Sequence, residues 1–140
     1  MTLRFADLSS HFEVPPMKTI KIRRELLEYL LQLARSAYPN EFAGFLREKN
    51  GIFEEVLIAP PRQYSGRNSV FFDHWMLPLD ESIKGTVHSH PSPTFWPSEA
   101  DLRFFSKFGG VHLIISWPFT EDDVRAYTSS GEEVFIEIID

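Results

Sequence analysis

Two histidines one residue apart, His88 and His90, stand in the segment Lys84-Gly85-Thr86-Val87-His88-Ser89-His90, which looks extended and is halted by Pro91 and Pro93. In an extended chain alternate side chains leave the same face, so both imidazoles can converge on one ion. Ten residues separate His90 from Asp101, and if a helix starts at Ser98, Asp101 lies in its first turn, where it can face back towards the strand end. Two imidazoles and one carboxylate make three protein ligands. A tetrahedral zinc held in that way keeps its fourth position for water, which is the catalytic rather than the structural arrangement. With two neutral imidazoles and one carboxylate, Zn²⁺ retains about one net positive charge, enough to bring such a water to a pKa of about 7. His-x-His alone arises easily by chance on a solvated strand, and Asp101 alone passes for a capping residue. Two prolines just after His-Ser-His, together with a carboxylate at a helix start, set this segment apart. The chain has no cysteine, so disulfides, thiolate metal sites and cysteine nucleophiles are all excluded. Hydrolysis by this chain has to use Ser, Thr, a carboxylate, or a metal held by His and Asp/Glu.

A metal-assisted hydrolysis also needs a general base. Glu41 is the candidate, in Pro39-Asn40-Glu41-Phe42-Ala43-Gly44 between a helix end and a strand, among small and apolar neighbours that would raise its pKa and position it. A surface carboxylate at a helix C-terminus fits the same spacing, and nothing in the spacing places Glu41 beside His88. Ser98-Glu99-Ala100-Asp101 is a good helix N-cap sequence with an acid at the third position. His112 lies in an apolar run, where a satisfied structural histidine is the better reading than a ligand, and His11 and His74 have no partner pattern. Phe95 and Trp96, between the ligand segments, fit a wall for a substrate and an anchor for the loop equally well.

These residues need elements to hold them. Thr19-Ile20-Lys21-Ile22-Arg23 alternates like a short strand, and from Arg24 the positions Leu26, Leu27, Leu30, Leu31, Ala34 and Ala37 recur at helical spacing, so a helix of about four turns should end before Pro39. Asn50-Gly51 between two apolar stretches predicts a hairpin. Residues 60 to 67 read as a loop and Ser69-Val70-Phe71-Phe72-Asp73 as a further strand. A second helix should run from Ser98, with Leu102, Phe105 and Phe108 on one face, to a stop at Gly109-Gly110. Val111 to Trp117 is a continuous apolar run of the kind that makes a buried, central strand. Two last strands, around Val124 to Thr128 and Glu133 to Ile139, are joined by Ser129-Ser130-Gly131. The sum is an α/β or α+β domain, one mixed sheet with a helix on each side.

Length and charge bound the partners. A chain of 140 residues, with thirteen Phe, four Tyr and three Trp, can form one domain with one core. No stretch approaches the roughly 18 apolar residues of a membrane span. A net charge of −6 argues against nucleic acid as a main partner. The N-terminus lacks the basic start and apolar run of a secretory signal, so the expected location is cytoplasmic. Residues 1 to 16, with Pro15-Pro16 and no clear period, are expected to be an extension of unknown role that packs late or not at all, ahead of a domain over residues 17 to 140.

Taken together, Pro39-Asn40-Glu41-Phe42-Ala43-Gly44-Phe45-Leu46, Gly85-Thr86-Val87-His88-Ser89-His90-Pro91 and Pro97-Ser98-Glu99-Ala100-Asp101 closely resemble the JAMM (MPN+) metalloprotease domain, in particular its small stand-alone archaeal members. The resemblance runs from about Met17 to the C-terminus. It implies a cytidine-deaminase-like mixed sheet flanked by helices in a single domain, and one Zn²⁺ per chain held by His88, His90 and Asp101. It implies that Glu41 takes a proton from water and passes it to the leaving amine, and that Ser98 helps to hold the oxyanion. The implied partners are ubiquitin-like modifier proteins and their conjugates, cleaved after a C-terminal Gly-Gly. Specialised members carry insertions that select a linkage, and 140 residues leave little room for them.

Three other functions compete. A zinc deaminase shares the fold group, but its zinc site uses cysteines that this chain lacks. A non-catalytic binding module of the same fold would be expected to lack one or more ligands. A hydrolase releasing a small peptide or adduct from a Gly-Gly carrier protein would look the same in sequence. The modifier's tail is expected to add as an extended strand beside the site, with the segment from Ser69 to Met76 as the candidate edge. The sequence carries no signal for oligomeric state.

Overall fold

The computed structural model describes residues 2–3, 18–59 and 80–140. The expected loop over residues 60 to 67, the strand at Ser69, the candidate substrate edge, His11 and His74 lie outside the described residues.

The elements follow the sequence pattern closely. A short strand β1 (Thr2–Leu3) is followed by β2 (Thr19–Arg23) and helix α1 (Arg24–Ala37), then β3 (Ala43–Lys49), β4 (Ile52–Ile58), β5 (Ile83–His90), α2 (Glu99–Phe108), β6 (Val111–Ser116), β7 (Val124–Thr128) and β8 (Glu133–Ile139). Between β3 and β4, Asn50 and Gly51 both take positive φ, 53° and 81°, the backbone that a two-residue hairpin turn requires and that Asn-Gly tolerates best. α1 ends at Ala37 ahead of Pro39, whose ring cannot continue a helix.

The strands form one sheet in the order β1-β8-β2-β4-β3-β5-β6-β7, and β7 also pairs with β8, so the sheet curls round to meet itself. The join between β2 and β4 is a single pair, Ile22 opposite Phe53. Thr2 and Leu3 pair with Ile138 and Glu137 along β8, so part of the expected loose extension is instead an edge strand. Backbone pairing there needs no side-chain pattern, which is why it left no trace in the sequence.

Each sheet face meets one helix. Leu26, Leu27, Leu30, Leu31 and Ala34 of α1 pack with Ile22, Val87, Leu113, Ile115, Ile136 and Ile138 from the strands. At about 1.5–3 kcal/mol for each fully buried leucine or isoleucine, this cluster supplies most of the apolar stabilisation. On the other face Phe105 of α2, supported by Phe104, packs with Ile114 and Tyr127. Leu102 stays exposed, which corrects its expected place on the inner face of α2. Asp101, Phe104, Phe105 and Phe108 share the face three, four and seven residues apart, and Leu102 falls one step round the helix from Asp101.

His112 is fully buried on β6 and is held from both ring nitrogens. Nε2–H donates to the Gly109 carbonyl at 2.6 Å, and Nδ1 accepts from the Thr86 hydroxyl at 2.7 Å. Its ring stacks on Phe105 with centroids 4.1 Å apart. It is therefore the satisfied structural histidine that its apolar run suggests. Burial pushes its pKa down to about 4 from an ordinary 6.5, against the pull of the Gly109 carbonyl. The folded chain then binds a proton less readily than the unfolded one. The stabilisation is complete above about pH 6.5 and fades as pH falls towards 4, by about 3 kcal/mol over that window. Urea titrations at pH 7 and pH 4.5 should show that a His112→Gln variant loses markedly less stability on acidification than the parent chain. Equal losses would assign the acid sensitivity elsewhere. No helix among the described residues is long and apolar enough to cross a membrane.

Candidate metal centre

The centre forms where β5 ends and the crossover through α2 to the parallel strand β6 begins. β5 lies between β3 and β6, so its backbone is fixed on both edges. His88 and His90 leave the face that α2 covers, as their spacing requires, and His88 lies against Phe105 with ring centroids 6.4 Å apart. Asp101 is the third residue of α2, and its side chain is buried.

One nitrogen or oxygen from each of His88, His90 and Asp101 lies within 4.8 Å of the others. The two Nε2 atoms are 3.1 Å apart. Asp101 Oδ1 is 3.4 Å from His88 Nε2, and Oδ2 is 3.5 Å from His90 Nε2. Tetrahedral zinc with bonds of about 2.0–2.1 Å separates its ligand atoms by about 3.3–3.4 Å, so the three separations suit a shared ion. The hydrogen-bond chemistry agrees. His90 Nδ1 lies 2.7 Å from the Thr94 carbonyl, which can only accept, so the proton is on Nδ1 and the neutral ring keeps a lone pair on Nε2. Asp101 is oriented in turn by α2 itself: Oδ2 accepts the Ser98 backbone N–H at 2.9 Å, while Ser98 Oγ accepts the Asp101 N–H at 3.0 Å. The lone pair and the carboxylate thus point at one place, which favours a cation there.

The titration of the acidic member follows from that arrangement. Burial works to raise the Asp101 carboxyl, and hydrogen bonds from His88 and His90, the charge of His88 and the Ser98 amide overcome it and hold Asp101 well below the usual carboxylate range. Burial lowers the His90 imidazole, and the Asp101 carboxylate, the Thr94 carbonyl and the charge of Glu41 more than reverse it, so its pKa is raised.

Glu41 arrives through the β3–β5 ladder. Ala43 pairs with His88 in antiparallel register, and beyond it Ser89 N–H donates to the Phe42 carbonyl at 2.9 Å. Glu41 is the residue before Phe42, two short of the first residue of β3. Its charge acts on His90. Sequence spacing left Glu41 either beside the site or on a remote surface, and its charge reaching His90 places it near the site.

Phe95 and Trp96 divide the two roles that their sequence allowed. Phe95 is the anchor: its carbonyl accepts from the buried Tyr127 hydroxyl at 2.6 Å, and the Arg125 guanidinium lies 4.6 Å from its ring centroid. Trp96 is 62% exposed and is the one of the pair available to a substrate. The Thr94 carbonyl and Tyr127 are supports that the sequence did not single out. A backbone acceptor has no sequence signal, whereas a tyrosine inside an apolar strand signals a hydroxyl that must find a partner.

Comparison with known proteins agrees with the geometry. A family model describing prokaryotic homologues of the JAB domain matches residues 23–130. A relative from Haloferax volcanii named "Probable metalloprotease" is 30% identical over 132 residues, covering 88% of this chain and 81% of the relative. Among solved structures, a JAB1/MPN domain protein from Archaeoglobus fulgidus superposes with a TM-score of 0.71 at 37% identity, covering 86% of this chain and 100% of that one. A structure described as JAMM, a metalloprotease-like zinc site in the proteasome and signalosome, superposes with a TM-score of 0.68 at 35% identity, covering 88% of this chain and 100% of that one.

Proposed function

The chain belongs to the family of prokaryotic homologues of the JAB domain, and on that premise we propose that it is a zinc-dependent metalloprotease that cleaves peptide or isopeptide bonds after the C-terminal Gly-Gly of ubiquitin-like modifiers. The observation that carries the reading is the convergence of His88, His90 and Asp101 within 4.8 Å, with the charge of Glu41 acting on His90. The three residues would hold the metal. When bound, zinc supplies a Lewis acid that polarises the scissile carbonyl and acidifies water.

The chain's own groups do the rest. Glu41 accepts the proton of the attacking water and returns it to the departing amine, so that one carboxylate serves as base and then as acid. Ser98 Oγ accepts the Asp101 N–H, which leaves the hydroxyl proton to donate to the developing oxyanion. Thr94 holds the His90 tautomer, and the capping box holds Asp101, so neither ligand must be reorganised during turnover.

Ser98→Ala separates the two duties of that serine by magnitude. Loss of the cap costs about 1 kcal/mol of stability, and loss of an oxyanion donor costs on the order of 10²-fold in kcat. Both losses are expected, read from urea midpoints and steady-state rates. A lowered midpoint with unchanged kcat would assign Ser98 to the helix alone.

Substrate choice is tested on the modifier. A flexible Gly-Gly tail can lie flat along a strand edge where side chains would collide, with main-chain hydrogen bonds giving affinity. Replacing the last Gly of a ubiquitin-like protein with Val before conjugation should slow cleavage far more than changing the target protein does, with products identified by mass as intact modifier and free lysine amine. A rate that follows the target and ignores the tail would point to an ordinary peptidase. Release of a small adduct from a Gly-Gly carrier would keep the tail dependence and fail on protein conjugates.

A further inference from the structure

Ser89, the residue between the two histidines, is buried and has its side chain on the α1 face of the sheet, away from the metal centre. Its contacts reach β3. Ser89 N–H donates to the Phe42 carbonyl at 2.9 Å, which is one half of a regular antiparallel rung. The other half is made differently: the Phe42 N–H donates to Ser89 Oγ at 2.9 Å, where a hydroxyl accepts in place of the strand carbonyl that a regular rung would use. That N–H belongs to the peptide unit joining Glu41 to Phe42. Holding it fixes the plane of that unit, and with it the direction in which the Glu41 side chain leaves the backbone.

We propose that Ser89 is a positioning residue for Glu41, its hydroxyl pinning the Glu41–Phe42 peptide so that the base stands at a set distance from the two histidines. The proposal rests on the reading of Glu41 as the proton carrier. Glu41 precedes the first residue of β3, and the Ser89 rung holds the chain at Phe42, between Glu41 and the Ala43–His88 pair. Because the anchor sits between the two ligands, base and ligands share one rigid frame. Displacement of a reacting group by about 1 Å can cost 10²-fold in rate.

The test compares Ser89→Ala with Ser89→Thr, which keeps the hydroxyl, on the full chain carrying zinc. Two readouts are taken. The first needs no substrate: hydrogen exchange of the Phe42 amide, followed by NMR, should be faster in Ser89→Ala and near the parent rate in Ser89→Thr, with zinc content unchanged in both. The second is kinetic: Ser89→Ala should lower kcat by about 10- to 100-fold with KM within about twofold, Ser89→Thr should recover most of it, and in a Glu41→Gln background Ser89→Ala should add little. That lack of additivity marks a residue acting through Glu41. Unchanged exchange, loss of zinc, or a full multiplicative effect on top of Glu41→Gln would each overturn the assignment. A parent chain without activity on any Gly-Gly conjugate would instead defeat the proposed function, and the exchange readout then decides by itself whether Ser89 holds the Glu41–Phe42 peptide.

Discussion

Replacing His88 and His90 together with alanine is expected to leave a folded chain that retains no zinc and no measurable turnover. Two of the three converging groups go, and a single carboxylate is too weak a site for zinc in water. The lost chemistry is large, because zinc moves the pKa of water from about 15.7 to about 7 and nothing among Glu41, Ser98 and Thr94 can replace that shift. Elemental analysis should fall from about one zinc per chain to none, while circular dichroism keeps the signature of a mixed sheet with two helices. Some stability will be lost too. Asp101 is buried and leans on both imidazoles, so its carboxyl loses the partners that offset its desolvation, and an uncompensated buried carboxylate is costly. A chelator on the parent chain should abolish activity in the same way, with recovery on adding zinc back. Thiol alkylation should do nothing, there being no thiol. Full zinc in the double variant, or activity that survives thorough metal removal, would overturn the mechanism.

How much of this centre was legible in the sequence depends on how far each contact reaches along the chain. His88 and His90 share a face because a strand alternates, and Asp101 points back at them because it is the third residue of a capped helix. Both facts are local, and the residues on either side declare them. The fold class was legible for the same reason, from apolar spacing in α1 and the Asn50-Gly51 turn. Glu41 is different. Its place follows from the pairing of Ala43 with His88, a register set by the packing of a whole strand, and no short window of sequence carries it. The roles of Phe95 and Trp96 were level for a similar reason, since Tyr127, which separates them, is 32 residues away in the chain. Ser89 was hidden more deeply, because a hydroxyl that replaces a carbonyl in a strand rung resembles any other buried serine.

Glu41→Gln is expected to keep its zinc and lose turnover by about 10² to 10⁴-fold, the range by which a positioned proton carrier accelerates a reaction. Glutamine has the shape of glutamate and can still accept a hydrogen bond through its amide oxygen, but it cannot take the proton. The loss should therefore fall on kcat and kcat/KM together, with little change in KM, because the missing interaction belongs to the transition state rather than to the bound substrate. Zinc should stay, because His88, His90 and Asp101 converge without help from Glu41 and the Thr94 and Ser98 contacts that orient two of them are untouched. Metal loss in this variant would make Glu41 part of the ligand set, and near-parental activity would remove it from the reaction. The rate remaining in Glu41→Gln would then measure what metal, oxyanion donor and binding achieve alone. In the double variant at His88 and His90 that remainder should be gone as well, so the two substitutions rank the metal above the base in this centre. The opposite order, with the histidine variant the more active of the two, would contradict the division of labour between the ligands on β5 and the carboxylate of Glu41 just before β3.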